Sequence, residues 1–281
     1  MTLSGVFHSV LSSAARRSDV ARTPDAAEQA TLRRCEVYRR SFPMTEIALP
    51  AGVLRSRAVA KWARENGLSV DIRSGEELAV AIAAGIHLNR MTVHAEAMRE
   101  SDLRATIGLA PGRVVVSSIK HVDLLATAVE HRTQGIFVRV IDVNAPALTL
   151  ADGQYSFQGG FRLDSTELDR VVAAIVNNAR LDLLGLYCDV GVLEHDFVSY
   201  PAAIGHIITE MEHIRREHGV VLTRVGLGGG RTVPCGDWAL ELPGLAGQID
   251  ESLEDACATM RYPRPIVALS PGRAIIEQHA A

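Results

Sequence analysis

Asp71, His94, Arg139, Asp189 and His195 are side chains able to move a proton or hold an anion. The first four close short apolar runs that read as strands, "LSVDIR", "MTVH", "GIFVRVI" and "LDLLGLYCDV", and His195 follows the last of them in "GVLEHD" with Tyr187 and Glu194 nearby. A carboxylate beside an imidazole can act as general acid and base, which makes Asp71, His94, Asp189 and His195 the candidate catalytic set. Two loops suit an anion instead. In "GLGGG" and "SPGR", Gly228, Gly229, Gly230 and Gly272 allow backbone N–H groups to approach a phosphate closely, and Arg273 and Arg139 add positive charge. These six form the candidate cofactor-binding set. Each residue also has a plainer reading: a polar residue at a strand end commonly caps the next helix, and three glycines can simply make a tight turn. Convergence from several strands favours a site, with Ser117, Ser118, Asp142 and Ser270 completing its polar rim.

Such convergence needs elements that bring strand ends together. From about residue 30 the chain alternates short apolar runs with amphipathic helical stretches, beginning with "EIAL" and "SRAVAKWARENG" and ending with "PIVALS" and "GRAIIEQHA", eight strand and helix pairs in all. Gly67 is placed for a left-handed helix cap, and Ser74 with Glu77 has the spacing of a capping box. Runs this short and this apolar suit strands buried on both faces of a parallel sheet. Eight units predict a closed (β/α)8 barrel with its site at the C-terminal ends of the strands, and an open doubly wound sheet is the alternative. Residues 1–30, rich in Ala, Arg, Ser and Asp towards their end, read as a peripheral arm, and residues 31–281 as the barrel domain.

Composition narrows the function classes. The chain has 281 residues, 47% hydrophobic and 22% charged, with a net charge of -4, enough to bury a large core and without the basic blocks that nucleic acid or anionic lipid demands. No window approaches 18 uninterrupted apolar residues and the N-terminus is a poor signal peptide, so the expected location is the cytoplasm and no membrane partner is expected. Cys35, Cys188, Cys235 and Cys257 lie far apart, signalling neither a disulfide framework nor a metal site.

The segments "VDIRSGEELAVAIAAG", "RVVVSSIKHVDLLA", "FVRV", "LLGLYCDVG", "GLGGG" and "SPGRAII" resemble the pyridoxal-phosphate barrel of diaminopimelate decarboxylase and its ornithine and arginine decarboxylase relatives, of the alanine-racemase-like fold, over roughly residues 30 to 279. The resemblance implies that the triple-glycine loop and an E-P-G-R loop hold the cofactor phosphate. It further implies that a lysine in a Y-A-x-K-A motif on the first strand forms the Schiff base, a histidine stacks on the ring, and the glutamate of E-P-G-R bonds the pyridine nitrogen. Gly228, Gly229, Gly230, Gly272 and Arg273 match the phosphate loops, and Asp71, Glu77, His94, Arg139 and Gly191 match positions that line or support the site.

The positions of chemistry do not match. The lysine falls on Ala51 or an immediate neighbour in "LPAG", the histidine on Asp189, the serine of the following turn on Val192, and the glutamate on Ser270. The sequence contains two lysines, Lys61 within a helical stretch and Lys120 at a helix start, and Lys120 is the only conceivable substitute. The sequence runs eight residues past "SPGR", and the β domain that family decarboxylases carry is expected to be missing. The reading at this stage is a degenerate homologue that has lost decarboxylation. It is expected to use no cofactor, pyridoxal phosphate being ancestral, with noncovalent binding of phosphate or pyridoxal phosphate kept open. Three functions follow: a repurposed acid-base enzyme acting on a small, anionic molecule at the barrel mouth, a pseudoenzyme binding a partner protein, or a residual pyridoxal-phosphate protein. A homodimer is also expected.

Overall fold

A computed structural model describes residues 24–141, 159–189, 200–228 and 238–276. The chain enters through helix α1 (Ala26–Ser41) and then alternates strand and helix: β1 (Glu46–Pro50), α2 (Arg57–Glu65), β2 (Ser69–Ile72), α3 (Gly75–Ala83), β3 (Met91–His94), α4 (Glu100–Gly108), β4 (Arg113–Val116) and α5 (Ile119–Ala128). It continues with β5 (Gln134–Ile141), β6 (Phe161–Arg162), α6 (Thr166–Val176), β7 (Leu181–Asp189), α7 (Tyr200–His218), β8 (Arg224–Gly228), α8 (Trp238–Met260), β9 (Ile266–Leu269) and α9 (Arg273–Ile276).

The sheet runs β4-β3-β2-β1-β9-β8-β7-β5-β6, and pairing of β4 with β5 closes it. Every pairing is parallel. Setting aside the two-residue β6, which pairs alongside the last two residues of β5, eight strands form the barrel, as the alternation in the sequence predicts. Gly67 adopts φ +66 after α2, the left-handed cap that its position promised. Ser74 caps α3 by accepting from the Glu77 N–H at 3.2 Å, but the Glu77 carboxylate accepts from Arg73 N–H at 2.6 Å, one residue before the reciprocal partner that a capping box requires. One segment departs from its composition. Residues 26–30, at the end of the stretch read as an arm, belong to α1, whose N-cap Asp25 forms a full capping box with Glu28.

Side chains alternate across each strand, one set facing the helices and the other the barrel interior. Ile47, Leu49, Val114, Val116, Ile136, Val138, Leu186 and Cys188 belong to the large core under the helices. Their neighbours Val115, Phe137 and Tyr187, with Ala268, form a separate small cluster inside the barrel. Below this apolar layer, at the N-terminal ends of non-adjacent strands, Glu46 of β1 forms an ion pair with Arg113 of β4 at 2.6 Å and accepts from Arg224 of β8. That ion cluster crosses the interior and forms the barrel floor. Tyr187 fills the middle: a Cβ on its register partner Gly226 would strike its ring, and one on Gly228 would strike its hydroxyl and Asp189 Oδ1.

Candidate active site at the barrel mouth

The inward positions nearest the C-terminal strand ends form a charged layer above Tyr187. Asp71 of β2 and His94 of β3 are buried, with Asp71 Oδ1 3.3 Å from His94 Nε2. His94 Nδ1 lies 3.6 Å from Glu96, carried on the single 3-10 turn that follows β3. Arg139 of β5 donates both to Glu96 and to Asp189 at the end of β7, so one guanidinium ties three strands of the mouth together. It also lies 5.9 Å from the centre of the Tyr187 ring, while His94 meets that ring edge-on at 5.2 Å. Arg73 approaches Glu96 from the rim at 3.9 Å.

Electrostatics in this layer follow from burial and pairing. Burial alone pushes the Glu96 carboxyl up, but its contact with His94 and the charges of His94 and Arg139 overcome this and hold it at about 2. Burial, reinforced by the Asp71 charge, drives the Tyr187 phenol far above its ordinary range, so it stays protonated. Several polar atoms of the layer are buried without a hydrogen-bond partner: Asp71 Oδ1, His94 Nδ1 and Nε2, Glu96 Oε2 and the Tyr187 hydroxyl. The approaches of His94 to the two carboxylates are within ion-pair distance, but their angles do not make hydrogen bonds. Buried polar atoms are nearly always paired, and a concentration of unpaired ones facing one space marks a place built for a polar ligand.

Of the residues singled out in the sequence, Asp71, His94, Arg139 and Asp189 come together here. Asp189 is engaged as an ion-pair partner of Arg139 rather than standing free as an acid or base. Gly228 closes β8 beside them, and its lack of a side chain is required by Tyr187 and Asp189. Gly272 takes φ +54 in the turn before α9, where a Cβ would meet nothing closer than 4.0 Å, so backbone conformation alone demands glycine there. His195, Gly229 and Gly230 lie outside the described residues, as do Gly191, Val192, Asp142 and the side chain of Arg273. Ser118 serves as the cap of α5, accepting from His121 N–H. Glu96 and Arg73 were missed; the signal available was a polar pair one or two positions beyond the strand-ending residues.

The register also moves the missing lysine. Laid on Y-A-x-K-A, "IALPA" matches both alanines with Ala48 and Ala51 and puts the lysine position at Pro50. Strand parity agrees: Glu46 reaches the interior floor, so Ala48 and Pro50 share its face, whereas Ala51 packs in the outer core with Ile47 and Leu49. Pro50 pairs in register with Asp71. Within "LPAG", the expected position thus narrows from Ala51 or an immediate neighbour to Pro50. Away from the mouth, Asp169, Glu210 and His213 on α6 and α7 bring donor atoms within 4.8 Å of one another. There His213 contacts Asp169 at 3.2 Å, and Glu210 accepts the Asp164 N–H at 2.9 Å.

Residues 28–277 match the family model described as pyridoxal-dependent decarboxylase, pyridoxal binding domain. The chain belongs to this family. It is 30% identical over 254 residues to diaminopimelate decarboxylase of Actinosynnema pretiosum subsp. auranticum, covering 89% of this chain and 57% of that protein. The enzyme of the same name from Bacillus subtilis is 25% identical over 237 residues, covering 82% and 54%. The chain thus spans little more than half the length of these curated relatives. Among solved structures, the diaminopimelate decarboxylase of M. jannaschii superposes with a TM-score of 0.73 at 16% identity, over 89% of this chain and 60% of that one. An SrLDC mutant solved in complex with PLP gives 0.70 at 20% identity, over 94% and 65%. These likenesses establish the same barrel.

The match corrects one expectation. A chain without a cofactor was expected from the missing lysine, histidine and glutamate, yet the domain matched over nearly its whole length is a pyridoxal-binding one. The mouth fits such a group in part: unpaired buried atoms of Asp71, His94, Glu96 and Tyr187 offer it polar partners, and the Gly272 turn retains a left-handed backbone. What it lacks is an amine. Among the described residues no helix is long and apolar enough to cross a membrane.

Proposed function

We propose that this chain is a pyridoxal-phosphate-binding barrel of the diaminopimelate decarboxylase type that holds its cofactor by polar contacts alone, and that it has lost lysine-dependent decarboxylation. The observation that carries this reading is Pro50. It occupies the inward position beside Asp71 where the family motif places its lysine, and neither lysine of the sequence can replace it. Lys61 is exposed on α2, 3.8 Å from Glu65, and Lys120 is exposed at the second position of α5.

Ser270 and Gly272 would hold the phosphate end, and Asp71, His94, Tyr187 and Arg139 would surround the ring. When bound, pyridoxal phosphate supplies an aldehyde and an electron-withdrawing ring. The chain's own residues do the rest. Arg139 holds Glu96 and Asp189 in place by donating to both, and its charge helps keep Glu96 ionised. His94 and Asp71, 3.3 Å apart, set an imidazole nitrogen and a carboxylate oxygen side by side, each able to exchange a proton with a bound ligand. Tyr187, kept protonated, presents a hydroxyl donor from below. The buried setting strengthens each of these interactions relative to water.

The test is reduction by borohydride in the presence of pyridoxal phosphate, read by absorbance and intact mass. The wild-type chain should bind the cofactor reversibly and gain no covalent mass, while Pro50→Lys should gain a single reducible adduct. A covalent adduct on the wild-type chain that disappears in Lys120→Ala would reverse the assignment.

A further inference from the structure

We infer that the mouth prefers the cofactor in its aminated form, pyridoxamine 5′-phosphate, over the aldehyde. This rests on the pyridoxal-phosphate reading above and deepens it. Pro50 and Asp71 are register partners at the C-terminal ends of adjacent strands, both on the inward face. The family lysine would bring an amine into the space beside Asp71. With proline there, Asp71 remains buried, 5% exposed, and its Oδ1 has no hydrogen-bond donor.

The other charges do not correct this. Arg139 is engaged by Glu96 and Asp189, and Arg73 lies at the rim, 3.9 Å from Glu96. With His94 beside Asp71 and Glu96, the three carboxylates Asp71, Glu96 and Asp189 face three basic groups, but the hydrogen bonds do not close: Asp71 Oδ1 and Glu96 Oε2 have no donor. A site with buried carboxylate oxygens that lack donors and no amine of its own recognises a ligand that brings an ammonium. Toward Asp71 the aldehyde form brings only a carbonyl oxygen, an acceptor facing an acceptor. Pyridoxamine phosphate carries its ammonium on the carbon where the aldehyde would stand, so the donor travels with the cofactor. No covalent step is needed for binding.

Calorimetric titration of the purified full chain with pyridoxamine 5′-phosphate and, separately, with pyridoxal 5′-phosphate tests this. The amine form should bind about tenfold more tightly or better, in keeping with one charge-assisted hydrogen bond. In Asp71→Asn that preference should shrink to about threefold or less, as expected when the charge is removed and a hydrogen-bonding amide remains. Equal or tighter binding of the aldehyde to the wild-type chain overturns the inference and leaves the proposed function standing. Binding of neither overturns both. The wild-type comparison decides the matter even if the variant fails to fold.

Discussion

At the scale of single residues, Tyr187 and Glu96 have the sharpest consequences. Tyr187 reaches the middle of the barrel only because Gly226 and Gly228 leave room for it. Gly228→Ala should cost about 2 kcal/mol in a urea titration, the usual penalty for overpacking a tight interior, and adding Tyr187→Phe should recover part of the loss because the hydroxyl is the nearest of three obstructing atoms. An unchanged midpoint in the single variant would show that Gly228 is not held by this contact. Glu96 governs acid stability. Its folded pKa of about 2 lies below the ordinary 4.5, so the folded state holds the charged form more tightly. This stabilisation is fully present above about pH 4.5, is lost as pH falls towards 2, and amounts to something on the order of 3 kcal/mol. Glu96→Gln should flatten the fall in the denaturation midpoint between pH 5 and 2. A wild-type slope in that variant would exclude the Arg139 and His94 pairing as its cause.

Among the elements, the strands were legible, and so was the helical spacing of "LRRCEVYRRSF" in the first helix, but the start of that helix was not. Each barrel strand is a short apolar run whose outward residues must meet a helix and whose inward residues must meet the interior, and that double burial writes itself into the sequence as "RVVV" or "FVRV". The helix α1 begins in a polar stretch, where composition reads as an arm although Asp25 and Glu28 already have capping-box spacing. Asp25→Ala should lower stability by about 1 kcal/mol, measured by thermal melting; no change would mean that α1 docks independently of its cap. The candidate site was legible only as strand ends. Asp71 and His94 close their own strands, but the ion pairs of Arg139 join residues 43 and 50 positions away, and nothing local encodes them. Glu96 was hidden for the same reason. Parity, which separates Pro50 from Ala51, became readable only once Glu46 was seen to face the interior.

For the molecule as a whole, two charged layers sandwich one apolar layer. The lower one, Glu46 with Arg113 and Arg224, joins three strands far apart in sequence across the interior. Glu46→Gln leaves two arginines facing each other without a carboxylate. It should cost about 2 kcal/mol, less than a fully buried pair because Glu46 is partly exposed. Urea denaturation at neutral pH is the measurement, and a loss below a few tenths of a kcal/mol would reduce the floor to a surface feature. The floor also sets the traffic of the barrel. With the bottom bolted shut by ions and the middle stoppered by a tyrosine, the interior is a cul-de-sac. Whatever enters over Arg73 and Asp71 must back out by the same door, so arrival of a second molecule has to wait for departure of the first.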